Sequence, residues 1–150
     1  MEVNRKTFVI LVAEDDDDDF LLTREVLEEG GIPARLVRVR DGEELMEYLL
    51  RKGEYADPQD SPIPSFILLD LNMPRKDGRE ALQEIKSDPD LRRIPIVVFT
   101  TSKAEEDIAH TYLSGANSFI RKPVTFADFA RTVAGIKEYW EEIVTLPPVG

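Results

Sequence analysis

Short apolar runs rich in β-branched residues alternate with longer helical patterns along the chain. The runs lie at 8–13, 36–39, 66–69, 96–99 and 118–121, and the helical patterns lie at 19–29, 43–51, 79–87, 104–114 and 126–144. Parallel neighbouring strands need a crossover connection, which a helix supplies. Five strands alternating with five helices therefore predict an α/β fold, a doubly wound five-stranded parallel sheet with helices on both faces.

Local signals place several boundaries of these elements. Thr125 and Ser102 each stand three residues before an acidic residue, which is the spacing of a capping box at a helix start. Asp41 is placed to cap the second helix. The stretch 54–65 contains three prolines and is predicted to be a surface loop before the third strand.

Charge and cysteine content exclude several classes of function. The chain has 19 basic and 30 acidic residues, a net charge of -11, so it lacks a general attraction to nucleic acid or to anionic lipid. It contains no cysteine, which excludes a disulfide framework, a thiolate zinc site and a catalytic thiol. The apolar runs are too short for a signal peptide or a membrane span, so we expect one cytoplasmic domain of 150 residues.

Polar side chains follow four of the predicted strands. Glu14 and Asp15 come after the first strand, Asp70 after the third, Thr100 after the fourth and Lys122 after the fifth. Ligands of open parallel sheets bind outside the carboxyl ends of the strands, where these residues converge. Three carboxylates repel one another unless a cation lies among them, and oxygen ligands suit Mg²⁺. Lysine and a hydroxyl are suited to a phosphate group.

Each of these residues also has an ordinary alternative role. The acidic run 15–19 can be a solvated loop, Asp70 a turn residue and Thr100 a cap at a helix start. Their joint position at strand ends favours a functional site. The patterns of a nucleotide P-loop, a dinucleotide-binding loop and an EF-hand calcium loop are absent from the sequence, and His110 falls within a helical pattern with no nucleophile suggested beside it.

Four motifs, in this order and spacing, resemble the receiver domain of two-component response regulators. They are Ile10–Asp15, Ile67–Pro74 with Asp77–Gly78, Val97–Thr101, and Lys122–Pro123. The resemblance covers nearly the whole chain. It implies a flavodoxin-like fold with strand order 2-1-3-4-5. It also implies a single receiver domain over 1–150, with a core at about 7–138, an extension at about 139–150 and no output domain.

The resemblance also implies a chemistry. Asp70 would be the phosphoacceptor, taking a phosphoryl group from a sensor histidine kinase, so the chain would not be a dedicated enzyme. The remaining roles are metal binding by Glu14, Asp15, Asp70 and the backbone carbonyl of Asn72, phosphate pairing by Lys122, and conformational switching by Thr100 and Phe119. The expected metal is Mg²⁺. In the family, the lysine is followed by a cis proline, here Pro123.

A narrower set of motifs is similar to the small regulators that partner bacterial and cyanobacterial phytochrome kinases. These motifs are Thr23–Glu25, Gly53–Tyr55, Leu71–Arg75, Phe99–Ser102, Tyr139–Trp140 and Thr145–Pro147. A phytochrome kinase is therefore the expected partner. Kinase docking in the family uses the first helix and the loop after the fifth strand, here about 20–27 and 123–125.

The last helical pattern carries an apolar stripe with spacings of three and four residues. We expect the first four members to pack on the sheet, namely Phe126, Phe129, Val133 and Ile136. Trp140 and Ile143 lie in the last turns, beyond the expected reach of the sheet, and with Leu146 they are predicted to form a homodimer interface.

Three interpretations of function remain open at this point. The first is a phosphorylatable switch, read by another protein, relayed onward or used as a phosphate sink. The second is a constitutive binding or dimerisation module, which would not need the acidic residues and the lysine that are present. The third is a magnesium phosphohydrolase, which needs an acid two residues after its nucleophile, where this chain has Asn72.

Overall fold

The computed structural model describes residues 8–29, 34–102 and 104–147. The strands are β1 Phe8–Ala13, β2 Ala34–Val39, β3 Phe66–Leu69, β4 Ile96–Thr100 and β5 Ser118–Arg121. The helices are α1 Asp17–Glu28, α2 Gly42–Leu50, α3 Gly78–Ser87, α4 Glu105–Leu113 and α5 Phe126–Glu138. The first and last residues of the expected domain, up to residue 7 and from 148, lie outside the described part of the chain.

All five strands are parallel and lie in the order β2-β1-β3-β4-β5, which confirms the predicted sheet. β3 is the central strand, with β1 and β4 on either side, and the side chains of β1 and β3 alternate between two apolar layers. Residues of α2 and α3 pack on one face around Leu11 and Leu69. Residues of α1 and α5 pack on the other face around Ile10 and Phe66. The chain therefore forms three layers, with the carboxyl ends of all strands at one edge.

Side-chain caps begin four of the five helices. Asp16, Asp41, Asp77 and Thr125 each accept a hydrogen bond from the backbone N–H three residues further on. The predicted capping box at Ser102 is wrong, because α4 begins after Ala104 without a side-chain cap. The loop predicted over 54–65 is confirmed, except that a short 3₁₀ helix occupies Gly53–Tyr55.

The end of α5 differs from the sequence prediction. The α-helix stops at Glu138, and the next five residues, Tyr139–Ile143, form a π-helical turn. Trp140 is 7% exposed, and its ring stacks on Phe66 with the centroids 5.4 Å apart. The prediction of Trp140 as a partner surface is therefore wrong, because the amino end of β3 supplies a ring to cover it.

The apolar stripe of α5 is confirmed for three of its first four members, since Phe129, Val133 and Ile136 are buried. Phe126 is 70% exposed, so its predicted place in the core is wrong. It is the first residue of α5, and the first buried residue of this helix is Phe129. Of the predicted interface residues, Ile143 is exposed and Leu146 is half-buried against the α1 and α5 layer.

Within the described ranges, no helix has the length and apolar character needed to cross a membrane.

Candidate functional site

The sheet brings the predicted polar residues to its carboxyl edge through continued backbone pairing. Glu14 N–H donates to Val39 O at 3.0 Å, and Asp70 N–H donates to Ala13 O at 3.1 Å. Glu14 therefore follows β1 in register, and Asp70 lies beside it at the end of β3. Lys122 N–H donates to Thr100 O at 2.8 Å, which fixes the start of the lysine side chain beyond β5.

The Lys122 ammonium lies among three carboxylates. Its Nζ is 2.6 Å from Glu14 Oε1, 2.8 Å from Asp19 Oδ2 and 3.2 Å from Asp70 Oδ2. The side chains of Glu14, Asp70 and Lys122 are nearly inaccessible to solvent, whereas that of Asp19 is 31% exposed. The site thus places three carboxyl groups around one ammonium, with two of the carboxyl groups buried.

Burial and mutual charge shift the pKa values of this group. Loss of solvent, together with the neighbouring Asp70 carboxylate, raises the pKa of Glu14 to about 8 despite the opposing effect of Lys122. Burial disfavours the charged Lys122 ammonium, but Glu14 and Asp70 outweigh burial and raise its pKa above the ordinary value. The raised pKa of Glu14 means that a second negative charge beside Asp70 is disfavoured even with Lys122 present, and a further cation would favour the ionised form of Glu14.

Asn72 and Thr100 complete the polar edge. Asn72 N–H donates to Asp70 Oδ1 at 3.1 Å, so one carboxylate oxygen is held by the backbone and the other by Lys122. The fully buried Thr100 hydroxyl accepts a hydrogen bond from Asn72 Nδ2 at 3.2 Å. The side chain of Asn72 therefore links the loop after β3 to the end of β4. Both oxygens of Asp70 also have hydrogen-bond partners.

The predicted metal ligands are only partly assembled. Asp15 is exposed, and its backbone carbonyl accepts a hydrogen bond from Arg38 Nη2 at 3.3 Å. Among the described residues, no three acidic or imidazole side chains are grouped so that they could hold a metal ion. The donor chemistry nevertheless fits a hard divalent cation, because the carboxyl groups of Glu14 and Asp70 lie beside the same ammonium and supply the oxygen ligands that such an ion prefers.

Phe119 lies in β5 and is half-buried, in contact with the apolar layer under α2 and α3. Its backbone N–H donates to the Tyr112 hydroxyl of α4 at 3.1 Å.

The expected cis bond before Pro123 is wrong, because the structure has no cis peptide bond among the residues it describes. The position of the Lys122 ammonium is set instead by its three carboxylate partners.

Two features of the site were missed in the sequence. One is Asp19, which we counted with the solvated acidic run. Its neighbour Asp18 lies in the same first turn of α1, so no signal in the sequence distinguishes the two. The other is an ion pair behind the β4–α4 loop, where Arg79 of α3 donates to both oxygens of Asp107 of α4 at 2.6 Å. Ser102 donates to the same carboxylate. Arg79 and Asp107 are far apart in the sequence, so no local pattern predicts this ion pair.

Known proteins of similar sequence and structure include phytochrome regulators. The family model for the response regulator receiver domain matches residues 10–134. The chain is 47% identical over 139 residues to the response regulator Rcp1 of Synechocystis sp., covering 93% of this chain and 92% of Rcp1.

Two solved structures are also similar. That of the phosphorylated cyanobacterial phytochrome response regulator RcpA has a TM-score of 0.91 and 45% identity, covering 95% of this chain and 100% of RcpA. That of Mn²⁺-bound Rcp1 has a TM-score of 0.89 and 46% identity, covering 94% and 99%.

Proposed function

Because the chain belongs to the response regulator receiver family, in which phosphoryl acceptance is typical, we propose that Asp70 is its phosphoacceptor. The observation that carries this proposal is the environment of the Asp70 carboxylate. One oxygen accepts from the Asn72 N–H and the other from the Lys122 ammonium, within a buried edge of the sheet. This pairing orients the carboxylate for attack as a nucleophile.

In the proposed reaction, a carboxylate oxygen of Asp70 attacks the phosphorus of a phosphohistidine on the kinase. The bond between phosphorus and the imidazole nitrogen breaks, and its electron pair stays on the nitrogen, which takes up a proton. Lys122 is next to Asp70 and can donate to a phosphoryl oxygen, and the Thr100 hydroxyl is available once its contact with Asn72 is exchanged. We assign Thr100 and Phe119 as the switch residues.

Receivers of this family bind a divalent cation, and Rcp1 has been solved with Mn²⁺. For this chain we propose Mg²⁺, held by Glu14, Asp15, Asp70 and the backbone carbonyl of Asn72. A bound divalent cation would neutralise part of the charge on the transferring phosphoryl group. Calorimetric titration with Mg²⁺ and with Mn²⁺ tests the assignment, since Glu14→Gln and Asp15→Asn should weaken binding of both ions. Unchanged affinity in both variants would contradict it.

The decisive experiment for the phosphoacceptor is intact-mass analysis after incubation with acetyl phosphate and Mg²⁺. We expect one phosphoryl adduct in the wild-type protein and in Asp60→Asn, which alters an exposed loop carboxylate. We expect no adduct in Asp70→Asn or without Mg²⁺. An adduct that persists in Asp70→Asn would refute the assignment. If acetyl phosphate and a kinase both fail to modify the wild type and a phosphoryl mimic does not bind, the constitutive binding module becomes the favoured interpretation.

The kinase partner is proposed to be a phytochrome, as the names of RcpA and other similar regulators suggest. Leu21 of α1 and Val124 after β5 are 49% and 95% exposed, and they lie on the two segments expected to dock the kinase. Leu21→Asp and Val124→Asp should slow transfer from a phosphorylated phytochrome kinase but leave labelling by acetyl phosphate unchanged. Ile63→Asp, at the opposite end of the sheet, is the control. Equal transfer rates in all three variants would exclude this surface.

We further propose a homodimer through the C-terminal elements, now centred on Ile143 rather than Trp140. The Ile143 side chain is 63% exposed at the end of the π-helical turn. Sedimentation velocity should show a dimer that Ile143→Asp dissociates and that Leu113→Asp, which alters an exposed residue of α4, leaves intact. A wild-type monomer at micromolar concentration, with and without phosphorylation, would refute the dimer.

A further inference from the structure

Asp19 is an unexpected partner of the site lysine. It lies in the first turn of α1, where its backbone N–H is capped by Asp16 Oδ1 at 2.9 Å. From there its carboxylate accepts a hydrogen bond from Lys122 Nζ at 2.8 Å, which is shorter than the 3.2 Å bond from Lys122 to Asp70. Asp19 is therefore held in place by its own helix and contributes directly to the position of the ammonium.

The surroundings of the Lys122 ammonium are fully occupied. An ammonium group has three N–H donors, and Nζ already faces carboxylate oxygens of Glu14, Asp19 and Asp70 within 3.2 Å. A phosphoryl group on Asp70 would add negatively charged oxygens beside the same ammonium. Lys122 can donate to one of them in place of Asp70 Oδ2, and the added negative charge then repels the remaining carboxylates of Glu14 and Asp19, so that one of these two moves away.

Solvent exposure distinguishes the three partners. The side chains of Glu14 and Asp70 are 6% and 7% exposed, whereas that of Asp19 is 31% exposed. A displaced carboxylate must regain hydrogen bonds, and a buried one without a partner is costly. Asp19 can be hydrated after the exchange, whereas Glu14 cannot without opening the site. The carboxylate that can leave at the lowest cost is therefore Asp19.

We propose that Asp19 is a positioning residue that holds Lys122 in the unphosphorylated protein and is displaced when the lysine turns to the phosphoryl group. This inference rests on the proposed function of Asp70 as the phosphoacceptor. The exchange breaks a bond between the first turn of α1 and the residue after β5. Leu21 and Val124, on the proposed kinase-docking surface, are each two residues from its ends. Phosphorylation is thereby coupled to the surface that receives the kinase.

The kinetic test compares the wild type with Asp19→Ala, Asp19→Asn and the control Asp18→Ala. Asp18 is an exposed carboxylate in the same turn, so its variant removes the same charge. Labelling by acetyl phosphate with Mg²⁺, followed by intact mass, should be about two- to fivefold faster in Asp19→Ala, because no partly exposed ion pair has to be broken. Asp19→Asn, which keeps an acceptor oxygen, should lie between Asp19→Ala and the wild type.

A spectroscopic test uses the wild-type protein alone, so it does not depend on a variant that folds. Beryllofluoride, a mimic of the phosphoryl group, is added with Mg²⁺ while the side-chain carboxyl carbons of Asp18 and Asp19 are followed by NMR. We expect the Asp19 signal to move and the Asp18 signal to stay. A purely structural role of Asp19 would change thermal stability without changing the labelling rate or moving this signal.

The outcomes separate the two proposals. If the wild type is labelled on Asp70 but folded Asp19→Ala is labelled at the rate of Asp18→Ala or more slowly, the displacement of Asp19 is wrong and the phosphoacceptor assignment stands. An Asp19 signal that does not respond to beryllofluoride bound in the wild type also overturns the displacement. If the wild type is never labelled, both proposals fail together.

Discussion

The ion pair between Arg79 and Asp107 should stabilise the protein by about 1–2 kcal/mol at neutral pH. Its two hydrogen bonds are both 2.6 Å long, and the side chains are 29% and 18% exposed. The Arg79 guanidinium, with a hydrogen bond from Ser102, lowers the pKa of Asp107 from 3.8 to about 2. At 1.36 kcal/mol per pKa unit, this shift corresponds to about 2 kcal/mol, and solvent screening reduces it.

A double-mutant cycle measures this coupling. Arg79→Met, Asp107→Ala and the double variant are unfolded in urea at pH 7, and the non-additive part of the free energy of unfolding is the coupling energy. The control is a cycle on Arg24 and Glu28, which are 3.9 Å apart and about half exposed, where we expect about 0.5 kcal/mol or less. A coupling between Arg79 and Asp107 no larger than in this control would refute the reasoning.

The pH dependence has a definite sign. Because the pKa of Asp107 is lower in the folded than in the unfolded protein, its stabilising contribution is present above pH 3.8 and is lost as the pH falls through about 2. At pH 3 the folded-state carboxyl should still be about nine-tenths ionised, and Arg79→Met should bring its titration back towards 3.8. NMR titration of the Asp107 carboxyl carbon checks this. A wild-type midpoint near 3.8 would contradict it.

Three further variants test the packing of the fold by urea unfolding. A Cβ at Gly78 would lie 2.3 Å from the backbone oxygen of Asp70, so Gly78→Ala should lower the free energy of unfolding by about 3 kcal/mol. The same variant should be labelled more slowly by acetyl phosphate, and an unchanged labelling rate would contradict this. Trp140→Ala removes a buried ring stacked on Phe66 and should cost about 3–5 kcal/mol, whereas a loss below 1 kcal/mol would favour an exposed tryptophan. Tyr48→Phe removes a 2.6 Å hydrogen bond to a loop carbonyl and should cost about 1–2 kcal/mol, and a neutral effect would mean that water replaces the hydroxyl.

Alternation of apolar runs and helical patterns was enough to predict the sheet, because parallel strands restrict the possible connections. The strand ends then predicted which side chains share an edge, and Glu14, Asp70 and Lys122 do meet there. Helix caps were predicted where the capping residue and its partner are three apart, as at Thr125. Ser102 has the same spacing, but its hydroxyl bonds Asp107 instead.

The errors arose where tertiary contacts override a local pattern. Trp140 was assigned to a partner surface because helix length alone does not reveal that Phe66 lies within stacking distance. Phe126 fits the apolar stripe, yet the first turn of α5 lies outside the core. Asp19 was hidden among five consecutive aspartates, and only the fold distinguishes its carboxylate from that of the exposed Asp18.

The single ammonium of Lys122 makes the stability and the reactivity of the edge depend on each other. Without Lys122, the adjacent carboxylates of Glu14 and Asp70 would be buried with no positive partner, a costly arrangement. With it, the Asp70 carboxylate is oriented for the proposed attack, but the lysine also donates to Asp19. Asp19 has the greatest access to water of the three and lies in α1, the helix that we propose to dock the kinase, so the cost of freeing the lysine is lowest at Asp19. In the proposed exchange, the charge distribution of the resting site thus sets the direction in which a phosphoryl group on Asp70 shifts the structure.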